Sequence, residues 1–487
     1  MTPPAGPTPL PHGFRIQLAP DTVQLADGMW FGGSPARVMR LTRAGRKAWR
    51  QLAEGGAVTS AAAGALARRL TDTGMAHPCP PESAAVSPDV TVVIPVHDRT
   101  ELLDRCLAAL DGRHPVVVVD DGSQDPGAVA AVVRRHGATL VRRPVNGGPA
   151  AARSTGLEHV TSELVAFLDS DCVPVPGWIE ALAWHFADPL VAAVAPRVTA
   201  LAPDGWAGRY TRASCSLDLG EQPARVAPRT RVSHVPTAAL LARRTALLEV
   251  ARDGAVFDPA MRVGEDVDLI WRLHERGGRI RYDPSVRIGH REPVTWRALL
   301  TRRMRYGTSA APLALRHPTS VPPLVLHAWP AVTVGALLAR RPVVAAAAFG
   351  MANLTMLRTL RQADVPTDGV PRAMAVAVQQ TWLGTGRYAT QFAAPALIAL
   401  MAPGGRRRWG RRAAVASLLL GPGVAAWAAR RPALDPVRFT LGTLADDIAY
   451  GTGVWIGCLT HGTGIPLRPV LTWRPLRIDP TTGEQRS

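Results

Sequence analysis

Three apolar runs that stop at acids constrain this chain more than any other feature. They are Val90-Thr91-Val92-Val93-Ile94-Pro95-Val96 before His97-Asp98-Arg99, Val116-Val117-Val118-Val119 before Asp120-Asp121-Gly122-Ser123, and Leu164-Val165-Ala166-Phe167-Leu168 before Asp169-Ser170-Asp171. Unbroken apolarity, as opposed to alternation, belongs to strands covered on both faces, as in a parallel sheet. Between the first two runs, Glu101 to Leu110 has apolar residues at helical spacing. A further strand near Thr139 to Val141 precedes Asn146-Gly147-Gly148-Pro149, a loop that feeds a helix through Ala150 to Leu157. The order βαβαβαβ sets the polar strand ends on one edge of an open α/β sheet, where ligands meet loops and helix N-termini.

Asp169 and Asp171 are separated by one residue, and a strand alternates its faces, so both are expected on one side. There they can share one divalent cation, Mg2+ or Mn2+, bridging a diphosphate. An isolated Asp-x-Asp is better read as a turn that ends a strand, but the surrounding strands and loops favour the metal site here. Downstream, Glu265-Asp266-Val267-Asp268-Leu269-Ile270-Trp271-Arg272-Leu273 opens with acids, which suit a first helical turn, and continues with an apolar face. Arg279 to His290 reads as a short strand ending at a histidine, and Thr301-Arg302-Arg303-Met304-Arg305-Tyr306-Gly307 is strongly basic.

In that order the motifs from about Val90 to Arg305 resemble the family 2 glycosyltransferases of the GT-A, or nucleotide-diphospho-sugar transferase, fold. The resemblance implies that Pro95, His97, Arg99, Asp120 and Asp121 flank the nucleotide base and ribose. Asn146 and Arg153 would lie near the nucleotide and its phosphates, and Asp169 and Asp171 would hold the metal with His290 completing its shell. Asp266 would be the general base that takes the acceptor hydroxyl's proton, with Glu265 orienting the loop or acceptor and Asp268 a solvated helix acid. Arg302 and Arg305 would belong to a flexible basic segment that closes on the diphosphate, or form a basic surface beside a membrane. Direct displacement would invert the anomeric configuration.

The remaining sequence divides around that core. Residues 1–85 read as a small winged-helix-like α+β module, able to dock a peptide by strand addition or to cap the catalytic domain. It has strands at Phe14 to Leu18 and Val23 to Leu25, a turn at Asp27-Gly28, a strand at Val38 to Leu41, and helices near Arg43 to Leu52 and Ala61 to Leu70; His77-Pro78-Cys79-Pro80-Pro81 to Pro88 reads as a linker. Residues 86–318 are the transferase domain, and 319–487 an apolar helical, membrane-associated region with runs at Val321 to Ala339, Pro342 to Leu357, Tyr388 to Ala402 and Ala413 to Ala429. These runs approach the ~20 residues that span a bilayer, and the arginines from Arg406 to Arg412 suit a cytoplasmic flank. A buried helical bundle is the other reading.

The formal charge of +18 comes almost wholly from arginine, because Lys47 is the only lysine. It favours diphosphates and anionic lipid; without zinc-finger spacing or an aromatic-interleaved basic patch, nucleic acid is not expected. Five scattered cysteines suit a reducing compartment. Pro3, Pro4, Pro7, Pro9 and Pro11 make a start unlike a cleaved signal peptide, so the catalytic domain is expected on the cytoplasmic face.

This architecture, with the stretch from Arg305 to Pro318, further resembles the glycosyltransferases of the mycofactocin system. That implies transfer of glucose from UDP-glucose to a peptide-derived redox cofactor precursor, building β-linked units. Two alternatives stand beside it: a membrane polysaccharide or glycolipid transferase using another UDP-sugar, whose usual Gln-x-x-Arg-Trp motif is absent, and a non-catalytic peptide-binding scaffold.

Overall fold

The computed structural model describes residues 8–81, 89–110, 112–202, 204–320, 324–402, 409–473 and 477–478. Pro3, Pro4, Pro7, the linker residues 82–88, residues 321–323 and Arg406 to Arg408 lie outside the described residues.

The first module contains β1 (Arg15–Leu18), β2 (Val23–Ala26), β3 (Met29–Gly32), β4 (Arg37–Arg40), α1 (Arg43–Ala53), α2 (Ala61–Thr73) and β5 (Ala76–Cys79). β2 and β3 form the expected hairpin across Asp27-Gly28, where Gly28 adopts a φ of +69° that favours glycine. Thr42 and Ser60 cap the two helices by accepting from the N–H groups of Gly45 and Ala63. The His77-Pro78-Cys79 stretch read as linker is instead β5, paired antiparallel with β1. The proline is tolerated because this two-stranded sheet is all edge, so the missing N–H breaks no central ladder.

The module is seated on the core by buried charge. Arg68, fully buried, makes a bidentate pair with Asp188 at 2.7 Å, and Arg279 donates to Asp72 at 2.7 Å. Trp184 of the core also packs into the module's cluster of Phe14, Met39, Leu52 and Leu70.

The core follows as β6 (Val90–Val96), α3 (Thr100–Ala108), β7 (Val116–Asp121), α4 (Pro126–Arg135), β8 (Thr139–Arg143), α5 (Pro149–Glu158) and β9 (Leu164–Leu168). It continues with β10 (Cys172–Val173), α6 (Trp178–Ala183), β11 (Val191–Leu201), α7 (Trp206–Ser214), β12 (Ala224–Val226), β13 (Ala239–Arg243), α8 (Arg244–Glu249), α9 (Glu265–Glu275) and β14 (Arg279–Arg291). The sheet order is β10-β14-β11-β13-β9-β6-β7-β8, with β12 beside β14. β9, β6, β7 and β8 are mutually parallel, as the unbroken apolar runs require, and apolar clusters cover both faces. β14 is not short: its 13 residues run parallel to β11 with a register shift near Pro196 and carry His290 to the far edge.

The last region comprises α10 (Trp296–Thr308), α11 (Ala310–Arg316), β15 (Val325–His327), α12 (Ala328–Leu338), α13 (Pro342–Gln362), α14 (Val370–Leu400), α15 (Trp409–Arg430), α16 (Pro436–Thr460), β16 (Val470–Thr472) and β17 (Arg477–Ile478). The described part of the run Val321 to Ala339 is split between β15 and α12, and Tyr388 to Ala402 takes in the end of a 31-residue helix that kinks near Ala393 and Pro395. Helix α16 is not among the expected apolar runs because Asp446 and Asp447 interrupt it. Those acids are instead neutralised inside the bundle, Asp446 by Arg303 at 2.6 Å and Asp447 by Arg387 at 2.9 Å. The proposed boundaries do not isolate the ends of the chain, since Met29 and Val38 pack with Ala352, Leu360 and Met374, and β17 pairs with β4.

Candidate active site

The polar ends of β6, β7 and β9 converge as the topology requires, and each loop there is tied to the next. After β6, Asp98 and Arg99 take left-handed φ values of 55° and 53°, a strained pair for residues with a Cβ. Asp98 is held there by donating its N–H to Ser123 Oγ at 2.8 Å, while its Oδ1 accepts from Gln124 N–H at 2.9 Å. Pro95 ends up half-buried in β6 and His97 exposed, its Nδ1 3.0 Å from the Asp121 carbonyl oxygen. Arg99 lies exposed with Nη1 3.3 Å from Asp171 Oδ2.

Asp120 and Asp121, expected to face the nucleotide, are both engaged within the protein. Asp120 is fully buried, accepts the Ser123 N–H at 2.9 Å and pairs with Arg142. Asp121 accepts from Arg143 Nε at 2.8 Å and from the N–H groups of Gly147 at 3.0 Å and Gly148 at 2.7 Å. It thus anchors the Asn146-Gly147-Gly148 loop, whose Asn146 Oδ1 also accepts from Gly148 N–H at 3.0 Å. A Cβ on Gly122, at φ +73°, would sit 2.7 Å from the Asn146 nitrogen, so this approach requires glycine.

Asp169 and Asp171 do not lie on a strand, so strand alternation does not place their side chains. β9 ends at Leu168, and the two aspartates occupy a tight turn closed by Cys172 N–H donating to the Asp169 carbonyl at 2.9 Å. Their carboxylates take different partners. Asp169 Oδ1 accepts from Arg153 Nη2 at 2.6 Å, whereas Asp171 Oδ1 lies 3.3 Å from His290 Nε2. The register of β10 on β14, Cys172 opposite His290, delivers that histidine, which sequence distance alone would not bring. Among the described residues no group of three or more acids, histidines or cysteines forms a ready cage. Even so, Asp171 and His290 bring an oxygen donor and a nitrogen donor together beside the Asp169 turn. Such a donor set fits Mg2+ or Mn2+, ions that keep part of their shell for water and phosphate.

Arg153 is the hub. It is 3% exposed, sits on α5, and reaches Asp169 with one nitrogen and Glu265 Oε1 with the other at 2.8 Å. Glu265 and Asp266 begin α9 after Gly264, whose φ of +83° turns the chain. Burial raises the Glu265 carboxyl above the ordinary range, with the charge of Asp266 adding and Arg153 opposing. Burial likewise raises Asp266, against the Val267 N–H and Arg153, while Asp169 adds to the rise.

Asp268 is not a solvated helix acid. It is 1% exposed and accepts from Arg272 at 2.8 Å, with Oδ1 3.0 Å from His317 Nε2. Burial alone would raise its carboxyl, yet these partners hold it down to about 2. The basic segment is the C-terminal half of α10, where Arg303 is fixed on Asp446, Arg302 is paired with Glu292, and Arg305 is exposed. Sequence reasoning missed Glu292, whose Oε1 is 2.9 Å from His290 Nδ1. A His-x-Glu spacing at a strand end was the available signal.

Residues 91–250 match the sequence family described as Glycosyl transferase family 2. Over 479 residues, 38% are identical with the pre-mycofactocin glycosyltransferase of Mycobacterium tuberculosis (strain ATCC 25618 / H37Rv), spanning 95% of this chain and 98% of that protein. The chain belongs to the pre-mycofactocin glycosyltransferase family. A mannosyltransferase of Pyrobaculum calidifontis, solved with GDP-Man and Mn2+, has a TM-score of 0.43 and 22% identity over 78% of this chain and 89% of that one. In this transferase the family 2 segment carries β6 to α8, and Asp266, His290 and Arg302 follow it.

Proposed function

We propose that this transferase moves glucose from UDP-glucose onto a peptide-derived redox cofactor precursor of the mycofactocin pathway, with inversion, adding several β-linked units. The observation that carries the reading is Arg153, which ties the Asp169 corner and the Glu265-Asp266 helix start into one site. The match along 95% of the chain to a pre-mycofactocin glycosyltransferase supports the acceptor.

In this mechanism Asp266 takes the proton of an acceptor hydroxyl. The new bond forms between that oxygen and the anomeric carbon as the bond to the UDP oxygen breaks, and the electron pair leaves with the diphosphate. Asp169, Asp171 and His290 would hold a divalent ion whose charge, when bound, steadies the leaving diphosphate. Asp121 and Gly148 keep the nucleotide-side loop in place, Arg99 presents a cation beside Asp171, and Glu265 fixes the start of α9. With purified protein, Mn2+, a panel of UDP-sugars and the precursor, mass spectrometry should record serial hexose additions with UDP-glucose alone. Metal-dependent UDP release with an unmodified precursor would retain the transferase and reject the acceptor.

Asp171→Asn is expected to remove metal-dependent donor binding, read as the loss of UDP-sugar binding heat in the presence of Mn2+. Absence of UDP or Mn2+ heat from the unaltered protein would favour the scaffold alternative. The pH profile should reflect the raised carboxyl of Asp266. A base acts only when deprotonated, so kcat should fall as pH drops, with its acid limb above the ~3.9 of a free aspartate. Asp266→Glu moving that limb, with donor affinity unchanged, would assign it to this residue.

Attachment to the cytoplasmic membrane face belongs to the same proposal. Helices α13 and α15 are long and apolar enough to cross a bilayer, and only 22% and 11% of their apolar windows are buried. Flotation with anionic vesicles tests it.

A further inference from the structure

Behind the metal corner lies a side chain that the transfer chemistry leaves unused. Glu292 follows β14, its carboxylate is fully buried, and Oε1 stands 2.9 Å from His290 Nδ1. The other oxygen pairs with Arg302 of α10, the Cys215 thiol lies 3.6 Å from Oε1, and the Glu292 N–H donates to the Leu201 carbonyl at 3.2 Å. We propose that Glu292 is a positioning residue that keeps the His290 Nδ1 protonated and aims Nε2 at the Asp171 corner, so that Nε2 is the nitrogen offered to a metal ion. This rests on the reading of His290 as a metal ligand.

A carboxylate only accepts, so Glu292 keeps a proton on His290 Nδ1 and leaves Nε2 as the nitrogen that meets Asp171, where a metal ion would take the place of the proton shared with that carboxylate. Nε2 is the atom 3.3 Å from Asp171 Oδ1. A ligating histidine held by an outer carboxylate is both oriented and made more basic, and loss of such a partner commonly costs about 10- to 100-fold in metal affinity. Burying Glu292 without a cation would be unfavourable; Arg302 supplies the compensating charge. Arg302 therefore acts from behind the metal corner and not as a free diphosphate ligand, and the seating of α10 becomes part of the metal site. That seating is itself fixed by Arg303 on Asp446.

The test is Mn2+ binding to the full chain by isothermal titration calorimetry without nucleotide. In an Arg302→Met background, which leaves no orphaned cation, Glu292→Gln keeps an acceptor for the His290 Nδ1–H and Glu292→Ala removes it. The Ala form should bind Mn2+ about 10- to 100-fold more weakly than the Gln form. Adding His290→Ala to either should abolish that difference, and 15N spectra with diamagnetic Mg2+ bound should show His290 with its proton on Nδ1 only when residue 292 accepts. Equal Mn2+ affinity of the Ala and Gln forms, with His290→Ala alone weakening binding, would overturn the role of Glu292 and keep His290 as a ligand. Unchanged Mn2+ affinity on His290→Ala would overturn the ligand reading itself. Thermal melts on the same samples check that each variant is folded.

Discussion

Asp266→Asn should lower kcat by about 100- to 10,000-fold, the usual contribution of a positioned general base. Asparagine preserves size and can still accept the Val267 N–H that Asp266 Oδ1 receives at 2.8 Å, so the start of α9 should hold. It cannot take a proton. The donor corner of Asp171 and His290 is untouched, so UDP-sugar affinity and donor KM should not change, the signature of a group acting in the transition state. Initial rates and donor calorimetry on one preparation separate the two effects. If Asp266→Asn lost donor binding as fully as Asp171→Asn, the division between base and metal corner would be wrong.

Arg153→Met should carry the largest stability cost of any substitution in the site. The arginine is buried, and its removal leaves Glu265, itself buried, and Asp169 without their shared cation. Breaking a buried pair in this way costs about 3–5 kcal/mol. At roughly 2–4 °C per kcal/mol for a domain of this size, melting should fall by roughly 6–20 °C. The cost should shrink in acid: burial raises the Glu265 carboxyl and Arg153 opposes that rise, so without the arginine protonation of Glu265 relieves its burial as pH falls. Melts at pH 8 and pH 5 should therefore converge toward the unaltered protein at the lower pH. An equal deficit at both would mean that packing against Phe257, and not charge, is what Arg153 supplies.

The legible part of the fold was the part written in local periodicity. Unbroken apolar runs marked β6, β7 and β9, and the turn chemistry of Asp27-Gly28 marked a hairpin; both are properties of a few consecutive residues. The strand His77-Pro78-Cys79 was not legible, because its prolines read as linker until β1 is laid beside it. Helix α16 was hidden by Asp446 and Asp447, which look like interruptions until Arg303 and Arg387 pair with them. Asp268 looked solvated on a helix diagram that could not include His317, 49 residues away.

For the candidate site, residue types and order pointed to a family 2 transferase, and full-length similarity to a pre-mycofactocin glycosyltransferase agrees with it. Pairings were another matter. Nothing local says that Arg153 reaches Glu265, 112 residues away, as well as Asp169, that Asp121 braces a loop, or that Glu292 stands between His290 and Arg302. Which strands are buried and which loops hold acids is written in neighbouring residues, because burial periodicity and turn preference act locally. Which acid meets which cation emerges only in the folded chain, because an ion pair is set by strand register and helix packing among segments far apart in sequence.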